Sequence, residues 1–215
     1  MLHIKQFIFN PFQENTYVLI DETKTCAIVD PGNYTPKETL KLKSFIAENQ
    51  LKVKMILLTH GHFDHIFGLH ALIETQNIPV YANILDKDII ATAPQYAQRY
   101  GFSFPQSSIT INHQIEDGET LTIGQTKLLA VHLPGHSKGS MFFYIPDNKI
   151  AIVGDILFKG SIGRTDLPGG NLDELLDGIH KKLFTLPSET KVLSGHGPST
   201  SIETEKRTNP FVSSL

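Results

Sequence analysis

A chain of 215 residues with 40% hydrophobic and 19% charged side chains is long enough to bury a substantial core and too apolar to stay disordered. A formal net charge of -3 leaves no basic footprint for nucleic acid and no polybasic patch for a membrane surface. Cys26 is the one cysteine, so an intrachain disulfide and a thiolate metal site are both excluded. The stretch Met1 to Phe7 lacks the apolar centre of a signal peptide, and no window approaches the ~20 apolar residues of a membrane helix. The expectation is a cytoplasmic protein.

Apolar runs over residues 2–9 and 15–20, then Ala27-Ile28-Val29 after the polar turn Asp21 to Lys24, predict a β-meander. Asp30-Pro31-Gly32 stops it. Thr35-Pro36-Lys37-Glu38 has the form of a capping box with proline at the first helical position, and Leu42, Phe45 and Ile46 recur at helical spacing, which predicts a helix over 36–49. The strand Val53 to Leu58 feeds Thr59-His60-Gly61-His62-Phe63-Asp64-His65, and Leu69, Leu72 and Ile73 place a helix over 66–74. A short strand over 78–81 and a short helix over 84–91 follow. Residues 92–108 hold Pro94, Gly101, Pro105 and the aromatics Tyr96, Tyr100, Phe102 and Phe104. They read as an irregular segment, either a lid or binding wall or aromatic packing over the core.

The β pattern returns at Ile109 and Ile111, then over 121–123, 128–133, 141–145 and 150–153. Asn171 caps a helix whose stripe is Leu172, Leu175, Leu176, Ile179 and Leu183, and a strand over 191–193 and a helix over 202–207 close the chain. No linker divides residues 1–215, so one domain is expected, with two packed sheets and helices outside.

Four apolar runs end in glycine plus a metal-type side chain: at His60 to His65, at Pro134-Gly135-His136, at Gly154-Asp155 and at Gly195-His196. Together they offer five histidines and two aspartates, more than one closed zinc shell of four ligands needs and suited to two ions sharing a bridging carboxylate. On a continuing strand His60, His62 and Asp64 would share one face and His65 would oppose them. Convergence therefore needs a turn, for which Gly61 is expected to supply the backbone freedom. His3, His70, His113 and His180 read as ordinary surface or interface groups. His132 reads as a strand residue, because Leu133-Pro134-Gly135 breaks any helix that would pair it with His136.

His60-Gly61-His62-Phe63-Asp64-His65 resembles the His-x-His-x-Asp-His signature of the metallo-β-lactamase fold, and His136, Asp155 and His196 follow in that fold's order. Asp30-Pro31-Gly32, Pro134 to Ser137 and Gly195 to Pro198 are similar to its other landmarks. The resemblance implies an α+β fold, a four-layer αβ/βα sandwich with its site at one edge between the sheets. Gly154 to Asp166 is most similar to the glyoxalase II group, the hydroxyacylglutathione hydrolases, in their short bacterial form, and Asn209-Pro210-Phe211 fits it. Only 19 residues follow His196, so the additional C-terminal helical domain of larger members is not expected and its glutathione contacts are not carried over.

That resemblance implies His60, His62 and His136 on a first metal, Asp64, His65 and His196 on a second, and Asp155 bridging them. The implied cofactors are two Zn2+ per chain, with Fe2+ or a mixed pair as the alternative. A metal pair about 3.5–4 Å apart holds a hydroxide able to attack an acyl carbon. A thiolate, with a thiol pKa near 8.5, leaves with little protonation. The expected function is a binuclear zinc thioesterase for S-lactoylglutathione or a related acyl-thioester, with Asp64 and Asp155 as catalytic residues and a small-molecule acyl-thiol as partner. Lys138, Lys159 and Arg164 lie within a few residues of ligands and are candidates for a substrate carboxylate, although Arg164 can instead pair with Asp166. Thr59 and Ser137 are expected to hydrogen-bond ligands from behind, and Phe63 to pack. The alternatives are a mononuclear iron persulfide dioxygenase using His60, His136 and Asp155, and a lactonase or β-lactamase of the same fold.

Overall fold

The computed structural model describes residues 2–104 and 109–213. The first sheet contains β1 (His3–Phe9), β2 (Glu14–Ile20), β3 (Thr25–Val29), β4 (Lys52–Leu57), β5 (Val80–Ala82) and β6 (His113–Gln114), paired in that order. β1 to β3 form the antiparallel meander, and pairing turns parallel from β3 to β6. The second sheet is built from β7 (Thr120–Ile123), β8 (Thr126–His132), β9 (Met141–Ile145) and β10 (Ile150–Gly154). A ribbon of β11 (Leu157–Phe158) and β12 (Ser161–Ile162) follows, and β13 (Lys191–Ser194) and β14 (Thr200–Ser201) then extend the second sheet beyond β10.

Successive residues on β2 and β3 point to opposite faces, and both faces are buried. Leu19, Ala27, Val29 and Leu57 meet Ile123, Ala130, Phe143 and Ile152 of the second sheet, while Val18, Cys26, Ile28 and Ile56 turn outward to a helix layer. That layer holds α1 (Pro36–Glu48), α2 (Phe63–Ile66), α3 (Leu69–Gln76) and α4 (Lys87–Arg99). The opposite outer face carries α5 (Leu172–Lys181) and α6 (Ile202–Thr208), with Leu175, Ile179 and Ile202 packed on Phe142, Val153 and Val192. The result is the four-layer αβ/βα sandwich. The helix starts form as the side chains dictate: Thr35 and Glu38 make the reciprocal capping box, and Asn171 accepts from the Glu174 N–H.

Four expectations are corrected. Residues 92–99 are not irregular: α4 continues through Pro94, because Ile90, Ala93 and Ala97 are buried against the first sheet's helix-side core. That burial outweighs the ~3 kcal/mol cost of an internal proline. The helix expected over 66–74 starts earlier as α2 and breaks at Gly68, where a Cβ would stand 1.9 Å from the Asn33 Oδ1. The strand near Ile109 and Ile111 falls instead at β6, and those two isoleucines pack half-buried against the core. Pro105 lies outside the described residues. His70 is buried beside Phe104 rather than at the surface, and His113 stacks on Tyr81 with its Nε2 2.7 Å from Glu119. Among the described residues no helix is long and apolar enough to cross a membrane.

Phe143 is fully buried between the sheets. Phe143→Ala is expected to lower the unfolding free energy by about 3–5 kcal/mol, read from denaturant unfolding of the purified protein.

Candidate metal centre

The site grows from strand ends. β3 ends at Val29 and β4 at Leu57, and the N–H of the next residue after β3, Asp30, donates to the Leu57 carbonyl, so the two chain exits lie side by side. The Asp30 carboxylate is buried and accepts the Thr59 N–H at 2.7 Å, the Thr59 hydroxyl at 2.5 Å and the His65 Nδ1 at 3.1 Å. With its hydroxyl hydrogen committed to Asp30, Thr59 can only accept at its oxygen, so the His60 Nδ1–H, 3.0 Å away, donates to it. The Nδ1–H of His136 donates to the Arg164 carbonyl at 2.8 Å, and that of His196 to the Phe12 carbonyl at 2.9 Å. Four imidazoles are thus held by Nδ1, with Nε2 left for other work.

Those Nε2 atoms converge. The donor atoms of His60, His62 and His136 lie within 4.8 Å of one another, as do those of Asp64, His65 and His196. Asp155 sits between the groups: its Oδ1 is 3.4 Å from the His65 Nε2, and its Oδ2 is 3.8 Å from the His136 Nε2 and 3.7 Å from the His196 Nε2. The buried His60 Nε2 and His136 Nε2 have no hydrogen-bond partner among the described residues. Burying polar atoms unmatched is costly, and a cation accepting their lone pairs removes that cost, so the donor set fits metal ions. A third grouping of Asp30, His60 and His65 is equally close, but both Asp30 oxygens are already taken by Thr59 and His65. Asp30 therefore acts from behind the ligands.

Electrostatics agree with the geometry. Burial, reinforced by His65, His136 and His62, holds the His60 imidazole well below its ordinary range. Burial and His136 bring His62 down to about 3. His65 goes the other way: burial would lower it, but Asp155 and Asp64 outweigh burial and raise it well above the ordinary value. His196 is raised too, by its hydrogen bond to Asp64 and by Asp155, against the opposing effect of burial. Asp155 is held well below the carboxylate range because His65 overrides the burial that would raise it.

Gly61 does not have a left-handed backbone, contrary to the expectation. It is needed for space, since a Cβ there would lie 2.8 Å from Ile90 and 3.3 Å from Asp86. The turn that brings Asp64 and His65 round is α2 itself, which starts at Phe63. Gly154 has the positive φ, +52°, and its missing Cβ lets β10 approach the Thr59 hydroxyl, where a Cβ would stand at 2.2 Å.

The sequence pattern does not single out Asp86. It precedes α4 as an N-cap would, yet its side chain makes no capping bond. Its Oδ2 accepts from the Gly61 N–H at 2.9 Å and the Ser137 hydroxyl at 2.7 Å, and its Oδ1 accepts from the Gly139 N–H at 2.7 Å. One buried carboxylate joins the loop of His60 and His62 to the loop of His136. Burial pushes Asp86 above the ordinary carboxylate value, partly offset by those donors. Ser137 thus touches Asp86 rather than a ligand. An acid inside the apolar run Ile84-Leu85-Asp86 was the only available signal.

A cavity of about 360 Å³ opens onto His62, Asp64, His136 and Asp155. Lys138 and Arg164 line it, but Arg164 makes two 2.8 Å bonds to Asp166. Lys159 is exposed and outside the lining. Phe63 lines the cavity against Phe12, and α4 forms a wall of it, so the segment read as a lid or wall is the wall in helical form. His132 is the strand residue expected, with its Nε2 2.8 Å from the Lys138 carbonyl.

Residues 9–196 match the profile described as the Metallo-beta-lactamase superfamily. The chain belongs to that superfamily and is a metal-dependent hydrolase of it. It is 44% identical over 202 residues to the probable metallo-hydrolase YqgX of Bacillus subtilis (strain 168), covering 94% of this chain and 93% of that one. It is 36% identical to the hydroxyacylglutathione hydrolase GloC of Haemophilus influenzae, covering 94% of each. Among solved structures, the BLEG-1 B3 metallo-beta-lactamase superposes with TM-score 0.88 at 37% identity, covering 98% of this chain and 99% of that one. TTHA1623 in a di-iron-bound form superposes with TM-score 0.87 at 36% identity, covering 97% and 100%.

Metal can take the lone pairs of His65 and His196 only after their protons leave. Because both pKa values are raised, the metal-free protein keeps these protons above the ordinary histidine range near 6.5. Their contribution to metal-free stability is complete below that range and is lost as pH rises through the elevated values. Titration calorimetry in buffers of different ionisation enthalpy is expected to show about one or more protons released per chain at neutral pH, with affinity falling as pH falls. Zero release would overturn this protonation pattern. Asp86→Ala leaves three buried donors unmatched and is expected to weaken metal affinity about 10–100-fold in chelator competition, with Asp86→Asn losing less.

Proposed function

We propose that the protein is a binuclear metal-dependent thioesterase that hydrolyses S-lactoylglutathione or a related acyl-thioester. One observation carries the reading: four imidazoles are tied back through Nδ1, and their Nε2 atoms, with His62 and Asp64, form two adjoining donor groups with Asp155 between them, beside the cavity. In this reading His60, His62 and His136 would hold one ion and Asp64, His65 and His196 the other, with Asp155 shared between the two groups. When bound, such a pair supplies water ionised near neutral pH and positive charge facing the developing oxyanion.

The chain's own residues do the rest. Asp30, Thr59 and the carbonyls of Phe12 and Arg164 orient the imidazoles, which removes the cost of reorganising them during reaction. The cavity above the centre admits the acyl carbon beside Asp155. A thiolate departs without prior protonation, as its conjugate acid has a pKa near 8.5. The 36% identity with GloC, over nearly the whole of both chains, supports the thioester class.

A β-lactam substrate is the second reading, favoured by the likeness to BLEG-1. Zinc is the proposed metal, with iron as the alternative that the di-iron form of TTHA1623 supports. A mononuclear iron dioxygenase would use His60, His136 and Asp155 and leave the grouped Asp64, His65 and His196 without a task.

Elemental analysis of purified protein beside assays with S-lactoylglutathione and a chromogenic β-lactam is the test. The expected result is about two metals per chain, thioester turnover, and a loss of about 100-fold or more in kcat for Asp64→Ala. One tightly bound metal in fully active protein, or lactam turnover without thioester turnover, would sink the proposal.

A further inference from the structure

The cavity over the metal centre is uneven in its chemistry. Ile89, Ala93 and Tyr96 project from α4 at helical spacing of four and three residues, with Leu85 just before them, and give one apolar face. Beside it stand Phe12, Phe63 and Tyr100, whose rings pack at centroid distances of 5.4, 5.6 and 6.4 Å. Leu167 and Pro168 add to the same apolar lining.

Charge is sparse away from the metal ligands: Lys138, Arg164 and Asp88 are the ionised side chains of the lining. Arg164 is neutralised by its two bonds to Asp166. Lys138 stands two residues after His136, exposed, and its ammonium has no partner among the described residues. Asp88, on α4, repels further carboxylates. A glutathione thioester brings two carboxylates and an ammonium, and Lys138, the one cation of the lining not paired with a carboxylate among the described residues, can meet only one of those carboxylates.

We propose that the preferred substrate is the thioester of an apolar aliphatic or aryl acyl group on a small thiol bearing a single carboxylate. The acyl chain lies along Ile89, Ala93 and Tyr96, and the carboxylate meets Lys138. The inference rests on the thioesterase reading above and narrows it. The step is ordinary hydrolysis: the oxygen of water bonds to the acyl carbon, the C–S bond breaks with its electron pair on sulfur, and a carboxylic acid and a thiol are released. The cavity, at about 360 Å³, lies at the small end of ligand sites, which span roughly 300–1,000 Å³.

The test uses the metal-loaded chain with acetyl, butyryl, hexanoyl and octanoyl thioesters of 3-mercaptopropionate, compared with S-lactoylglutathione. Burial of each added methylene is expected to raise kcat/KM about threefold to fourfold until the wall is covered. S-lactoylglutathione should fall about tenfold or more below the best ester of the series. Lys138→Ala should shift the ratio of KM values, carboxylate ester over the matched ethanethiol ester, about fivefold. Binding of the corresponding S-alkyl thioethers to metal-free protein reads the wall without any turnover, and Ile89→Asp should flatten its dependence on chain length. A flat series, a preference for S-lactoylglutathione, or an unchanged KM ratio in Lys138→Ala would overturn the inference. If no thioester is turned over while thioether binding still rises with chain length, the hydrolase reading fails and the apolar acyl site stands. Were thioether binding flat as well, both would fall.

Discussion

A single buried carboxylate stands behind the centre. Asp30 takes the Thr59 N–H, the Thr59 hydroxyl and the His65 ring, and through Thr59 it also decides which nitrogen of His60 carries the proton. Its own backbone sits at φ +48°, a left-handed conformation that aspartate tolerates better than most residues and that persists where its surroundings over-determine it. Those surroundings are visible: its N–H is bound to Leu57 and its carbonyl accepts the Thr16 hydroxyl. If Asp30 moved, both groups of metal-type donors would lose an orienting partner together.

The same economy appears in the charges. Histidines crowd three carboxylates in a space from which water is largely excluded, so neutral and charged forms cannot be distributed freely. The cluster divides into imidazoles forced neutral, His60 and His62, and imidazoles that retain a proton beside Asp64 and Asp155. Neutral donors are ready for a cation, while Asp64 and Asp155 raise His65 and His196 above the ordinary histidine value. This is the pattern expected of a site whose charge is completed by metal.

Asp86 connects this centre to the substrate side. It ends the turn that leads into α4, and α4 supplies the apolar wall, while its carboxylate grips both the His60 loop and the His136 loop. Wall and ligands therefore share a rigid anchor.

Local chemistry made much of this legible in the sequence. Short apolar runs broken by polar turns marked the meander, the Thr35 and Asn171 caps marked two helices, and glycine-terminated apolar runs marked all seven metal-type donors, because each signal depends on neighbours within a few residues. What sequence could not decide was whatever depends on distant contacts. Pro94 inside α4 is tolerated only because Ile90, Ala93 and Ala97 are buried on another element, and Gly61 is small because Ile90 and Asp86 press on it from across the fold. Lys159 and Lys138 looked alike beside their ligands, and only folding turned one into the cavity and left the other outside. Residue type and spacing alone determined that a metal-type cluster exists. Tertiary structure decided which nitrogen faces inward, which carboxylate stands behind, and what the wall above it is made of, since hydrogen-bond partners far apart in the chain have no local signature.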